Sequence, residues 1–175
     1  MILRPHARPD QLGLLNLAAA AALCLSITRH VPARVKWPND VMISGRKVAG
    51  ILSEGSYDVV VIGVGLNVNV PDFPVELQES ATSVQRETGA PAERLELLRA
   101  FLERFGRLYA DFPEGVVADY KPLCETLGMF VRVQLPGRVI EDEATGVDPT
   151  GGLVLAGGEI LRAGDVVHLR PARGA

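Results

Sequence analysis

The chain has 175 residues, 47% of them hydrophobic and 22% charged, with 18 glycines and 12 prolines. That length suits one ordinary domain, or one with a small appendage, and the balance fits a folded, turn-rich globule; a large multidomain enzyme, a long coiled coil, collagen and a disordered chain are excluded. A formal charge of −3 argues against a protein held to nucleic acid chiefly by counterion release.

Residues 1–4 read as the end of a strand. The run LGLLNLAAAAALCLSI over 12–27 follows a start bearing Arg4 and Arg8, superficially like a secretory signal. It is short for a bilayer, Asp10 sits in what would be the positive region, and Asp10 after Pro9 suits a helix cap, so a buried helix capped by Asp10 is expected over 10–30. Residues 35–37 read as extended, Pro38 and Asn39 as a turn, and 40–43 and 46–53 as the arms of a hairpin closed at Ser44 and Gly45. The alternating, valine-rich stretch 58–70 is the firmest strand. Over 91–109, Leu95, Leu98, Phe101, Leu102, Phe105, Leu108 and Tyr109 recur at three and four, which predicts an amphipathic helix, and a shorter helix follows over 114–123. Beyond Gly128, turn signals at PGR, DPTGG, GG and AGD separate short apolar runs; this spacing predicts a small β-barrel, with a boundary near Leu127.

Cys24 and Cys124 lie far apart with no CxxC, and His6, His30 and His168 show no HxxxH or HExxH spacing. Neither a disulfide framework nor a zinc site is supported, and a reducing, cytoplasmic setting is expected. No protein metal site, nucleic-acid partner or membrane partner is assigned.

In the strand over 58–70, Val60, Ile62, Val64, Leu66, Val68 and Val70 share one side and Val59, Val61, Gly63, Gly65, Asn67 and Asn69 the other. The first side reads as core. Two glycines followed by two asparagines suit either a tight strand crossing or a ligand lying against bare backbone beside amide groups. GVGLNV is not a dinucleotide fingerprint: it lacks the third glycine and lies within a strand. In the hairpin, a two-residue turn sets Met42 opposite Lys47 and Asp40 opposite Ala49, which makes Asp40 and Lys47 diagonal neighbours on a face that also carries Ile51. A lysine among apolar neighbours calls for an anion, whether a protein carboxylate or a bound phosphate. Lys36, Trp37, Asn39 and Asp40 cluster at a strand end where Pro38 sets the direction.

Together, KWPND at 36–40, GRKVAGILSE at 45–54 and VIGVGLNVNV at 61–70, followed by ATSV at 81–84, resemble the central catalytic segment of biotin protein ligases. The resemblance implies an α+β fold: a class II synthetase-like core, with a mixed β-sheet flanked by helices, over 1–127, and an SH3-like barrel over 128–175. It implies activation of biotin by ATP as biotinyl-adenylate and transfer to a lysine of a biotin carboxyl carrier protein, with Mg²⁺ accompanying ATP. By similarity Lys47 binds the biotin carboxylate and α-phosphate, and Asp40 positions the ATP-side groups and the incoming lysine. Lys36 and Asn39 support the nucleotide side, Asn67 the phosphate and ribose region, and Gly50, Gly63 and Gly65 form the wall for biotin. The family's Gly/Arg-rich biotin loop has no counterpart in residues 1–35, so the N-terminal part of the catalytic domain is expected to be missing. The family's DNA-binding domain has none either, which leaves a repressor role unsupported. A non-catalytic module for carrier docking or dimerisation and a lipoate-attachment relative are the alternative readings, and a homodimer is left open.

Overall fold

The structure is a computed structural model that describes residues 1–56 and 58–169. Its centre is helix α1, Leu14–Ile27, preceded by a single 3-10 turn at Pro9–Gln11. Every α1 residue except Asn16 and Leu25 is buried. A helix apolar all round has no solvent face to offer, and the run Ala18 to Ala22 lets neighbours approach closely on several sides: α1 packs on the first sheet and on two later helices. Taken with the turn before it, Pro9–Ile27 passes for a membrane span by length and composition, but here protein encloses most of it. Asp10 is not its cap. The Asp10 carboxylate pairs with the Arg8 guanidinium at 3.1 Å, and Gly13 holds the N-cap position.

The first sheet pairs its strands antiparallel throughout, not mixed as the resemblance implies, in the order β1 (Ile2–Leu3), β5 (Val60–Leu66), β4 (Arg46–Gly55), β3 (Asp40–Ile43), β2 (Arg34–Lys36). The β3–β4 hairpin turns at Ser44 and Gly45 as expected; both have positive φ, 51° and 76°, the pair of left-handed residues that a two-residue turn requires. Strand β5 is shorter at both ends than the alternation predicts, although its faces hold: Val60 and Ile62 are buried in the core, while Gly63 and Gly65 look outward. After Leu66 the chain leaves the sheet for side-chain-anchored loops. The Asn69 amide donates to Ala92 O and its carbonyl accepts Ala92 N–H, so Asn69 is a loop clamp.

A short helix α2, Val84–Thr88, is capped by the Ser83 hydroxyl, which accepts Arg86 N–H. Helix α3, Arg94–Ala110, lays Leu97, Phe101 and Phe105 against α1. Leu95, Leu98 and Leu102 are respectively 66%, 50% and 45% exposed, so the buried stripe is narrower than the periodicity suggests and is centred on Leu97. Helix α4, Val116–Tyr120, closes the far side of α1.

The second sheet is also antiparallel, in the order β10 (Asp165–His168), β6 (Phe130–Leu135), β7 (Arg138–Val147), β8 (Leu153–Leu155), β9 (Ile160–Leu161). Its pairing is that of an open sheet; no ladder joins β9 to β10 among the described residues, so the closed barrel expected from turn spacing is not what the hydrogen bonds draw. Trp37 joins the two sheets. Its indole N–H donates to Gly151 O at 2.9 Å, and its backbone N–H donates to the Thr126 hydroxyl at 3.0 Å.

Candidate functional site

Strand β4 carries one residue more than its partner. Ile43 faces Arg46 and Met42 faces Lys47, but Val41 then faces Ala49 and Asp40 faces Gly50, which leaves Val48 as a bulge. Such a bulge shifts the alternation by one. Val48, Ala49 and Ile51 therefore all turn to the core, at 0%, 3% and 2% exposure, while Lys47, Gly50 and Leu52 share the outer face. The expected pairing of Asp40 with Ala49 and the placement of Ile51 beside Lys47 are both corrected by this one residue.

Lys47 Nζ lies 2.5 Å from Asp40 Oδ1, and the pair rests on Gly50, where an added Cβ would stand 3.1 Å from Lys47 Cε and Nζ and 3.5 Å from Asp40 Oδ1. Gly50 faces Gly65 on β5, and Gly63 faces Leu52. The result is a bare strip of backbone beside an ammonium. The Lys47 side chain is about half exposed, and such a pair contributes only ~0–1 kcal/mol to stability. Asp40 thus holds the ammonium in place without tying it down, and an incoming carboxylate or phosphate can displace it.

The strip opens into a cavity of about 620 Å³ that brings together Lys36, Asp40, Lys47, Gly50, Gly65 and Asn67, and is also lined by Leu77, Ser80 and Ala81. Asn67 donates its amide to Thr82 O at 3.1 Å, and its carbonyl oxygen has no partner among the described residues. Gly63 continues the floor outside the cavity. Asn39 is not brought in: its amide donates to Ile51 O at 2.6 Å, and its backbone oxygen accepts Ile51 N–H. It pins β4 from the other side and lines a separate cleft against the second sheet.

The sequence offered ATSV at 81–84 only as part of the resemblance and gave no sign that residues 80–82 pair with Lys47. Because β5 ends at Leu66, the backbone of Lys47 has no β5 partner; instead Lys47 N–H donates to Ser80 O at 2.8 Å and Thr82 N–H donates to Lys47 O at 2.9 Å. Nothing in local periodicity signals this, since the segment has no strand pattern of its own.

A second cavity of about 440 Å³ shares Lys36, Met42 and Gly45 with the first and adds Glu125, Met129, Val167 and His168. Burial pushes the Glu125 carboxyl up, against the opposing pull of Lys36 and Arg34. Burial and then Lys36 hold the His168 imidazole below its ordinary value, and its Nε2 lies 3.1 Å from the Thr126 hydroxyl. Thr126 therefore touches both the second sheet and Trp37.

The glycine floor makes a separable prediction. A Cβ at Gly63 or Gly65 meets only backbone oxygens at 3.7 and 3.9 Å, and neither residue has a positive φ. Gly63→Ala and Gly65→Ala should leave the unfolding midpoint unchanged or raise stability by up to about 1 kcal/mol. Ligand affinity, read by calorimetry, should fall at the same time, because the methyl occupies the strip where a ligand would lie.

The sequence model of the Biotin/lipoate A/B protein ligase family matches residues 11–69. A biotin--[acetyl-CoA-carboxylase] ligase of Mycobacterium tuberculosis is 40% identical over 90% of this chain and 63% of its own length. One from Paracoccus denitrificans is 31% identical over 95% of this chain and 77% of its own. Among solved structures, the biotin protein ligase of Aquifex aeolicus in complex with biotin and ATP superposes with a TM-score of 0.84 at 26% identity, covering 98% of this chain and 77% of that one. The chain spans about half to two thirds of the length of the first curated relatives it matches.

Proposed function

We propose that this chain, which belongs to the biotin protein ligase family, activates biotin with ATP and passes the biotinyl group to a lysine of a biotin carboxyl carrier protein. The observation that carries the reading is the Lys47 ammonium, 2.5 Å from Asp40, poised over a floor made of Gly50 and Gly65. Two anions must meet, the biotin carboxylate and the α-phosphate; at 4 Å their repulsion is about 1 kcal/mol in water and about 4 kcal/mol at an effective dielectric of 20. A fixed cation at the meeting point reverses the sign of that interaction and stabilises the charge that develops there.

The carboxylate oxygen attacks the α-phosphorus, pyrophosphate leaves, and biotinyl-adenylate forms. The carrier amine, once it has lost a proton, attacks the carbonyl carbon; AMP leaves with the bonding electrons and an amide remains. Holding the partners in line replaces a costly encounter with an intramolecular step. Lys47 takes the charge, Asp40 holds Lys47 and orients the incoming groups, and Lys36 supports the phosphates from the rim. Gly50, Gly63 and Gly65 leave room for biotin, the open carbonyl of Asn67 accepts from ribose hydroxyls, and Asn39 acts through β4, which it pins. Mg²⁺ accompanies ATP as part of the nucleotide substrate. We read residues 1–127 as the class II synthetase-like catalytic unit and 128–175 as its SH3-like companion, in a cytoplasmic protein able to pair as a homodimer.

The test is ATP–pyrophosphate exchange dependent on added biotin. Exchange with biotin and none with lipoate is the expected result. Silence with biotin, while biotin still binds, would replace the reading with that of a docking module; exchange supported by lipoate instead would move the chain to the lipoate-attachment branch.

A further inference from the structure

We infer that Glu87 is a positioning residue for Lys47, acting through Arg46 and Thr82; this rests on the reading of Lys47 as the cation that meets the biotin carboxylate. Arg46 and Lys47 are consecutive in β4, so their side chains leave opposite faces of the strand. Lys47 enters the cavity and Arg46 turns toward α2. There Arg46 Nη2 donates to Glu87 Oε1 at 2.7 Å, and the Thr82 hydroxyl donates to the same oxygen at 2.5 Å. Thr82 in turn gives its N–H to Lys47 O, and Lys47 gives its own to Ser80 O. The ring is closed: the Lys47 backbone, the Arg46 side chain, the Glu87 carboxylate, Thr82, and the Lys47 backbone again.

The carboxylate end of the ring is enclosed, although the Arg46 side chain is about a third exposed. Thr82 is fully buried and only 12% of the Glu87 side chain is exposed, and charge-assisted bonds in such a setting hold geometry better than a surface pair does. Arg46 Nε is buried without a partner, and among the described residues Glu87 is the group that its guanidinium bonds. Strand β4 is flanked here by β3 on one side only, through Met42 facing Lys47, because β5 ends at Leu66; on the open side the 80–82 segment takes the place of the ladder. Displacing a reacting group by about 1 Å can cost a hundredfold, and Glu87 fixes the backbone from which the ammonium is aimed. It does this without lining the cavity itself.

Two readouts test this in the full chain. The first needs no ligand: amide hydrogen exchange at Lys47 and Thr82 should quicken about tenfold or more in Glu87→Ala and stay near wild type in Glu87→Gln, whose oxygen can still accept both donors. Unchanged protection at both amides overturns the proposal. The second is a double-mutant cycle on biotin affinity with Lys47→Ala. Glu87→Ala should weaken biotin alone and add less than about twofold once Lys47 is gone; an equal loss in both backgrounds marks a general structural effect and also overturns it. Thr82→Val, with Thr82→Ser as its rescue, repeats the comparison should Glu87→Ala fail to fold. If Lys47→Ala by itself leaves biotin affinity intact, the reading of Lys47 fails, whatever the exchange data say about the ring.

Discussion

Replacing Lys47 by alanine is expected to slow biotin-dependent adenylate formation by about 10²–10³-fold, the range seen when one preorganised group facing developing charge is removed. Lys47 is the cation that the bulge at Val48 places on the outer face of β4, over Gly50 and beside Asp40. The Lys47 side chain is half exposed and its pair with Asp40 adds little to stability, so the variant should unfold at nearly the wild-type midpoint. Fold and activity therefore separate, and ATP–pyrophosphate exchange alongside thermal melting shows it. Lys47→Arg is informative as well: it keeps the charge but replaces a compact ammonium with a planar fork, and over a glycine floor it should recover only part of the rate. Wild-type exchange in Lys47→Ala would remove this residue from the mechanism.

The largest expected effect on stability belongs to Trp37→Ala, about 3–5 kcal/mol. Trp37 is 1% exposed and fills the joint between the sheets, where its indole reaches Gly151 O. Gly151 in turn leaves no room on the other side: a Cβ there would stand 3.2 Å from Leu14 and 3.3 Å from Leu17 of α1. Truncating the indole opens a cavity that α1, the β2–β3 corner and the second sheet cannot all close at once. Trp37→Phe, which keeps most of the volume and strands one carbonyl, should cost about 1–3 kcal/mol. Urea denaturation followed by circular dichroism compares the two. The loss should reach the cavity as well, because Lys36 and Asp40 flank the joint in sequence.

What the sequence made legible divides along local and non-local lines. The two faces of β5 followed from strict alternation, and the Asp40–Lys47 proximity followed from a Ser44-Gly45 turn that needs positive φ. The bulge was not readable, because Val48 and Ala49 are both apolar and either could serve the core. Only the pairing with Val41 and the fate of Gly50 show that both do. Asn39 is placed on the nucleotide side by the resemblance alone; local sequence gives no sign that its amide is held by Ile51 O. Asp10 offered a cap, and Arg8, two residues away, took its carboxylate instead. Leu97 anchors α3 although Leu95 and Leu98 fit the same period, because the direction of approach of α1 decides which side of the stripe is covered. In each case the deciding contact lies far along the chain, or in a competition that composition does not rank.

Val48 shows that β4 stores information in its length as well as its composition. Side chains along the strand can be traded for others of similar size, but losing one residue would shift the phase of everything beyond it: Ile51 would turn to water, and Leu52 would turn inward. In a lineage of such proteins, this short stretch should tolerate spelling changes more readily than changes in the number of letters.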